Sequence, residues 1–386
     1  MTSGLDYYDL DELLSEEERL IRDSVRQFVD DRVLPIIREC FNADRFPASL
    51  IPEIAQLGLF GASLKGYGCA GVSPVAYGLM LQELERGDSA LRSFVSVQGS
   101  LAMYAIYAHG SEAQKEAWLP PMACGEKIGC FGLTEPDYGS NPAGMLTRVE
   151  RKKDHFVLNG TKMWITNGTH ADVAVVWAKE GESIRGFLVE SGDEGFTSSP
   201  QKGKWSLRAS DTAELHFDDC RLPLERQLPG GEGLKGPLSC LSQARYGISW
   251  GVLGAAMACY EESLEYAKSR IQFDKPIASF QLIQQKLVEM LREITKGQLL
   301  AYRLGRIKAS RSPRPQQISL AKMNNVDVAL DIARSAREIL GANGIMDEYC
   351  IGRHMMNLET VKTYEGTHQI HTLILGNDIT GIAAFS

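Results

Sequence analysis

The spacing of apolar residues divides the chain into three segments. Up to about residue 125, apolar positions recur at helical intervals, as in ERLIRDSVRQFVDDRVLPII, which follows a Ser15–Glu18 capping-box pattern. From about 126 to 225, short runs such as DVAVVWA and AELHFDD are typical of β-strands. After the glycine-rich stretch LPGGEGLKG, the helical pattern returns and continues to the end of the chain.

Local signals refine the last two segments. The dipeptide Asn159-Gly160, flanked by apolar residues, predicts a hairpin turn. Farther along, the apolar spacing predicts long helices at about 238–270, 278–309 and 316–341, and a last helix that begins near Thr367.

The order of these elements indicates the fold class. Helices, then a block of strands, then helices again is not the strand–helix alternation of a doubly wound sheet. We therefore predict an α+β chain with an all-helical domain at 1–125, a middle β-domain at 126–235 and a C-terminal helical bundle at 236–386.

The glycine pattern GYGCAG at 66–71 matches a dinucleotide-binding fingerprint but lacks its context. That fingerprint works only where a strand leads into it and a helix leaves it within a βαβ unit. Here both flanks have a helical pattern, and Ser73-Pro74 is typical of the start of the next helix. We interpret the stretch as a glycine loop.

Composition and charge restrict the class of protein. The chain has 386 residues, a net charge of −8 and no basic run, which argues against nucleic-acid binding. Its eight cysteines have no metal-binding or Cys-x-x-Cys spacing, so we expect reduced, mostly buried thiols and no metal. The acidic start resembles neither a signal peptide nor a transit peptide, and no apolar run is long enough to span a bilayer. We expect a cytoplasmic bacterial protein, or a mitochondrial matrix protein if the chain is a trimmed eukaryotic one.

Two stretches of the strand segment carry candidate chemistry. CFGLTEPDYGSN (130–141) and TKMWITNG (161–168) combine glycines, threonines and Trp164 at predicted strand ends. Such a set could bind a flat heteroaromatic ring through hydrogen bonds along its edge. From composition alone, however, Trp164 is more typical of a core residue, and the threonines of ordinary strand formers.

Together with RIQFDKP (270–276), ILGANGI (339–345) and YEGTHQIH (364–371), these stretches resemble the acyl-CoA dehydrogenase family of flavoproteins. The resemblance runs from end to end and is strongest to the glutaryl-CoA-oxidising branch. It implies a helical domain, a middle β-barrel-like domain and a C-terminal four-helix bundle, assembled as a homotetramer that is a dimer of dimers.

The resemblance also implies roles for individual residues. Glu365 would remove the α-proton of an acyl-CoA thioester while a hydride leaves the β-carbon for FAD. Ser140 and Arg245 would bind CoA. The residues that would bind FAD are Leu133, Thr134, Trp164, Thr166, Arg270, Phe273, Gly341, Gly344, Thr367 and Gln369. Gln369 could also be an ordinary residue on a helix surface.

Arg92 narrows the substrate that the resemblance implies. Taken alone, this arginine is more typical of a solvated surface charge. The glutaryl-CoA branch, however, has an arginine here together with residues matching Glu85, Ser96 and Tyr364. A guanidinium can bind a substrate carboxylate with two parallel hydrogen bonds.

We therefore expect FAD-dependent oxidation of glutaryl-CoA, followed by decarboxylation to crotonyl-CoA and electron transfer to an electron-transferring flavoprotein. Two alternatives remain open. One is a short-chain acyl-CoA dehydrogenase or oxidase for an acyl group without a carboxylate. The other is a non-enzymatic, flavin-bound scaffold.

Overall fold

The structure is a computed structural model that describes residues 4–384. Its α-helices are α1 Glu16–Phe28, α2 Leu34–Asn42, α3 Ile51–Gln56, α4 Pro74–Gly87, α5 Ser89–Ser96, α6 Tyr104–His109, α7 Glu112–Ala123, α8 Lys235–Ser269, α9 Gln281–Ser310, α10 Pro315–Ile339, α11 Cys350–Thr363 and α12 His368–Thr380. Its strands are β1 Lys65–Gly66, β2 Cys69–Ala70, β3 Gly129–Gly132, β4 Arg148–Arg151, β5 His155–Thr166, β6 Val173–Glu180, β7 Ser183–Glu190, β8 Phe196–Pro200, β9 Thr212–Pro223, β10 Ile271–Gln272 and β11 Lys275–Pro276.

The predicted α+β fold class, with its order of helices, strands and helices, is confirmed. The three long C-terminal helices lie within a few residues of their predicted limits, and the Ser15–Glu18 capping box is present. Thr367 caps α12, because its hydroxyl accepts a hydrogen bond from the Ile370 amide at 3.2 Å. The sequence analysis missed α11.

The strands between α7 and α8 form one curled seven-stranded sheet. Its order is β3-β6-β4-β5-β9-β8, and β7 pairs with β6. The pairs β3–β6 and β4–β6 are parallel and the others antiparallel. A separate apolar core lies inside this sheet, whereas one continuous core joins the helices on both sides of it in the sequence.

The predicted hairpin turn at Asn159-Gly160 is wrong. Both residues lie inside β5, where the pairing with β9 shifts register. The Asn159 side chain donates to Asp219 Oδ1 at 3.0 Å and accepts from the Asp219 amide at 2.8 Å. A Cβ at Gly160 would stand 2.7 Å from Thr147 Cα, so the glycine permits a close approach of two strands.

The GYGCAG stretch also differs from the predicted loop. Part of it forms the two-stranded hairpin β1–β2, with Tyr67 and Gly68 at its tip in the left-handed region (φ 53° and 78°). The predicted helix start after it is confirmed, since Ser73 Oγ accepts a hydrogen bond from the Ala76 amide at 3.0 Å. No βαβ unit surrounds the glycines in the described part of the chain.

Helix α8 is the central element of the helical core. It spans 35 residues and packs against α4 and α10. It approaches α4 closely at Gly254, where an added Cβ would stand 2.8 Å from the Arg86 amide nitrogen. One turn earlier, a Cβ at Gly251 would stand 3.2 Å from Arg92 Cγ. Glycines on α8 therefore leave room for the charged side chains described next.

Candidate active site

Glu365 lies in the short turn between α11 and α12. Its backbone is left-handed (φ 52°), as is that of Gly366 (φ 94°). A non-glycine residue in this region is strained, and such strain is often found at functional sites. The carboxylate points inward, and Glu365 Oε2 is buried without a hydrogen-bond partner among residues 4–384.

Two buried cations hold this turn by its carbonyl groups. Arg245 Nε donates to the Glu365 carbonyl at 2.6 Å. Lys322 Nζ donates to the carbonyls of Tyr364 at 3.0 Å and Gly366 at 2.8 Å. The strained conformation is thus fixed by side chains from α8 and α10.

The surroundings of Glu365 favour its neutral form more than water does. Burial raises the pKa of Glu365, and the opposing charges of Arg92, Lys322 and Arg245 only partly offset that rise. A carboxylate with a raised pKa and an unpartnered oxygen is suited to accept a proton from a weak acid.

Arg92 is not a solvated surface charge, because the structure buries it completely. Its Nε donates to Glu85 Oε2 at 2.7 Å, and its Nη2 donates to the Tyr364 hydroxyl. Burial lowers the pKa of Arg92, but the charge of Glu85 and the neighbouring Tyr364 outweigh burial, so the pKa is raised. The guanidinium therefore stays charged.

One nitrogen of this guanidinium is left over. Arg92 Nη1 is buried and has no hydrogen-bond partner in the described part of the chain. A buried, unsatisfied cationic donor is costly to fold. Ser96, one turn further along α5, is also completely buried. The unpartnered Nη1 can bind an anionic acceptor.

Asp88 orients the helix that carries Arg92. The Asp88 carboxylate caps α5 by accepting from the Ala90 amide at 2.7 Å. It also accepts from Arg353 Nη1 and, at 3.0 Å, from Asn357 Nδ2, both on α11. The helix carrying Arg92 is thereby tied to the helix that leads into Glu365.

A second group of predicted residues lies at the strand ends. The Thr134 carbonyl accepts from the Met163 amide at 2.9 Å, and the Leu133 carbonyl accepts from Lys162 Nζ at 3.0 Å. Trp164 is not a core residue: it is 57% exposed and its backbone is left-handed (φ 63°). Leu133, Thr134, Trp164 and Thr166 therefore share one region.

A third group lines a groove of about 940 Å³ at the end of α8. The groove contains the predicted residues Arg270, Phe273 and Gly341. Phe273 lies at the tip of the β10–β11 hairpin and is 86% exposed. A Cβ at Gly344 would press on the Arg337 backbone, so this glycine is needed for packing.

The remaining predicted residues lie apart from these groups or have other contacts. Ser140 and Gln369 are exposed. The Thr367 hydroxyl serves as the cap of α12. Arg245 is buried against the Glu365 turn, and its predicted contact with CoA stays a prediction.

The sequence analysis missed Lys322, which contacts the Glu365 turn. Its signal is a lysine at a position where the helical period of α10 requires an apolar residue. Ile318 and Val326, one turn on either side, are buried, and Lys322 is 1% exposed.

Residues 4–384 contain neither a metal-binding cluster nor a membrane-spanning helix. No cluster of histidine, cysteine and acidic side chains could hold a metal ion. None of the helices combines the length and the apolar character needed to cross a membrane.

Comparison with known proteins gives matches along most of the chain. Three family models match: the N-terminal domain of acyl-CoA dehydrogenase at residues 15–126, its middle domain at 130–220 and its C-terminal domain at 231–380. The human mitochondrial short-chain specific acyl-CoA dehydrogenase is 33% identical over 373 residues, which cover 95% of this chain and 90% of the relative.

Two solved structures have higher sequence identity to this chain than the human relative does. A glutaryl-CoA dehydrogenase from Mycobacterium smegmatis superposes with a TM-score of 0.96 at 57% identity, covering 98% of both chains. A glutaryl-CoA dehydrogenase from the same organism in complex with FADH2 superposes with a TM-score of 0.98 at 54% identity, covering 100% of both chains.

Proposed function

The chain belongs to the acyl-CoA dehydrogenase family, and we propose that it oxidises glutaryl-CoA with FAD and decarboxylates the product to crotonyl-CoA. The observation that carries the choice of substrate is Arg92 Nη1, a buried cationic donor without a partner among residues 4–384. The terminal carboxylate of a glutaryl group would supply that partner. The methyl end of a butyryl group would leave the donor unsatisfied.

The residues present fit a flavin nucleotide. Trp164 offers an exposed aromatic face beside Leu133, Thr134 and Thr166, which suits a planar ring. The exposed Arg270, with Phe273 and Gly341 in the groove, suits a diphosphate and a base, here on a neighbouring subunit's FAD. We include Gly344, Thr367 and Gln369 in this cofactor set, and Ser140 and Arg245 in a CoA set, as the family resemblance implies.

Glu365 acts as the general base. When bound, FAD supplies the acceptor for a hydride from the β-carbon of the thioester. Glu365 Oε2 takes the α-proton, and the buried site excludes water that would otherwise compete for it. The raised pKa of Glu365, caused by burial, brings its proton affinity closer to that of a working base near neutral pH.

The same carboxyl group serves the decarboxylation. Glutaconyl-CoA, the oxidised product, loses its distal carboxylate as carbon dioxide, and the bond electrons form a dienolate conjugated with the thioester. Protonated Glu365 then returns its proton to the γ-carbon, which gives crotonyl-CoA. Tyr364 assists by sharing the Arg92 guanidinium, so that Arg92 does not bind the departing carboxylate too tightly.

We further propose that electrons pass to an electron-transferring flavoprotein and that the protein assembles as a homotetramer. The exposed hairpin with Phe273 supports a contact across subunits. We retain the division into domains at 1–125, 126–235 and 236–386 as part of the proposal.

The test is to mix the purified FAD-loaded protein with glutaryl-CoA without oxygen. We expect the flavin colour to bleach and mass spectrometry to detect crotonyl-CoA and carbon dioxide. Glutaconyl-CoA as the only product would refute the decarboxylation. A clear preference for butyryl-CoA would favour the short-chain alternative, which the 33%-identical short-chain relative keeps open. No bleaching with either thioester would favour a scaffold.

A further inference from the structure

The turn that carries Glu365, the proposed base, is held by a lysine with no part in the mechanism above. Lys322 lies on α10, is 1% exposed and donates one hydrogen bond to each carbonyl that flanks Glu365, at 3.0 and 2.8 Å. Two bonds from one ammonium group span the left-handed residue from both sides. A buried lysine is rare unless something compensates its charge.

We propose that Lys322 is a positioning residue for the reaction, which clamps the strained Glu365 turn and supplies positive charge that favours the ionised form of the base. The inference rests on the proposed role of Glu365. The role of Lys322 does not depend on which acyl chain is the substrate, because Lys322 contacts the backbone of the Glu365 turn and not Arg92.

Lys322 restrains the Glu365 turn through hydrogen bonds. Glu365 has φ 52°, a conformation that is strained for a non-glycine residue and persists only if its surroundings fix it. Arg245 fixes the Glu365 carbonyl itself, whereas Lys322 fixes the carbonyls before and after it. Without Lys322, the turn loses two of these three bonds, and the carboxylate is free to move away from the α-proton.

Lys322 also acts on Glu365 electrostatically. Lys322 and Glu365 are opposite charges, and both Lys322 and Glu365 Oε2 are buried, so each favours the ionised form of the other. Burial lowers the pKa of Lys322 to about 7; Glu365 opposes that shift, while Arg245 and Arg92 add to it. The nearby His371 has a pKa lowered to about 3 by burial, so it is neutral in the working range. The charged and titratable groups facing this pair are Glu85 and Tyr77 on α4, Arg92 on α5, Arg245 on α8, Asp327 on α10, Tyr364, and His371 on α12.

Loss of the Lys322 charge should shift the pH dependence of the rate in one direction. The base must be deprotonated, so the rate rises with pH through the pKa of Glu365. Removing the Lys322 charge destabilises the carboxylate and raises that pKa further. The acidic limb of the pH–rate profile should therefore move to higher pH, by about one unit for the loss of one nearby opposite charge.

Two variants separate the clamp from the charge. Lys322→Met has a similar length but neither donors nor charge, so we expect a lower maximal rate and a shifted acidic limb. Lys322→Gln keeps an amide donor on a shorter side chain. It should show the same shifted limb with a smaller loss of maximal rate. Lys308→Met is the matched control, because Lys308 is a half-buried lysine on α9 that contacts Gln243 and Tyr246 and not the turn.

The experiment measures flavin reduction by glutaryl-CoA and, independently, by butyryl-CoA from pH 5 to 9, with melting temperature and FAD content recorded for each variant. An acidic limb that stays at the wild-type pH in both Lys322 variants would overturn the proposal, even if their stability falls. A Glu365→Gln variant run in parallel keeps the two ideas distinguishable. If Glu365→Gln retains turnover, the assignment of Glu365 as the base fails. If Glu365→Gln is inactive but the acidic limb of the Lys322 variants does not shift, only the role of Lys322 is wrong.

Discussion

At the residue scale, the proposed chemistry depends on the Glu365 carboxylate, whose Oε2 is buried without a hydrogen-bond partner among residues 4–384. The substitution Glu365→Gln preserves shape and cannot accept the α-proton. We expect FAD binding to persist and flavin reduction by thioester to fall by at least ~10²-fold, the usual minimum for loss of a general base. Stopped-flow reduction without oxygen measures this directly. Turnover near the wild-type rate would return Glu365 to a structural role.

Arg92 should decide which acyl-CoA is used. The unpartnered Nη1 of Arg92 can donate a charge-assisted hydrogen bond to the glutaryl carboxylate, worth about 1.5–3 kcal/mol. Losing that bond in Arg92→Ala should reduce kcat/KM for glutaryl-CoA by ~10- to 100-fold. Activity with butyryl-CoA should hold or rise, because its methyl end no longer faces a buried charge.

The deciding quantity for Arg92 is the ratio of kcat/KM for glutaryl-CoA to that for butyryl-CoA. Arg92→Lys is the informative companion, because a single ammonium keeps the charge and loses the planar fork. It should restore only part of the ratio. A ratio that does not change between wild type and Arg92→Ala would exclude a carboxylated substrate.

At the scale of elements, α4 and α8 cross at a very close approach. At Gly254 a Cβ would collide with the Gln82 carbonyl, which is rigid backbone. Gly254→Ala should therefore push the helices apart and cost about 1–3 kcal/mol, the usual range for overpacking. Thermal unfolding is the measurement.

Gly376→Ala in α12 is the matched control for that crossing. A Cβ at this position would meet no atom within 4 Å. Alanine should thus be neutral or stabilise the helix by up to about 1 kcal/mol. Equal melting temperatures for the two variants would show that the close approach at Gly254 is not required.

The sequence predicted most helices and the strand block, because their buried faces are apolar at regular intervals. It missed α11 because the buried face of that helix carries Arg353, His354 and Asn357, which hide the apolar period. Their partners, Asp88 among them, lie far away in the sequence. The false turn at Asn159-Gly160 has a related cause, because the neighbours that explain the two residues are distant in sequence. Asn159 bonds to Asp219 on β9, and Gly160 lies against Thr147, just before β4.

The candidate site was only partly predictable. Family motifs gave the positions of Glu365 and Arg92, but composition alone favoured a solvated Arg92 and a buried Trp164. The structure reverses both exposures. Which side chain is buried depends on how distant helices pack, and no local pattern encodes that packing.

At the scale of the whole molecule, cofactor binding and assembly should depend on each other. Arg270 and Phe273 project from the β10–β11 hairpin beside the groove at the end of α8. If they bind a neighbouring subunit's FAD, Arg270→Ala should lower FAD content and weaken the tetramer together. Light scattering and the flavin-to-protein absorbance ratio measure both. A variant that stays tetrameric with full FAD would place Arg270 outside the cofactor site.

At Glu365 the left-handed backbone favours glycine for stability, whereas the proposed activity requires glutamate. Glycine adopts this conformation freely, so Glu365→Gly should unfold at a higher temperature than Glu365→Ala. The relieved strain should be worth about 1 kcal/mol in the free energy of unfolding. Both variants lack the carboxylate, so their difference reports the backbone alone. A mutation to glycine would thus be the least disruptive way for a descendant of this protein to lose its chemistry. A glutamate maintained here against that drift would be the mark of selection for catalysis.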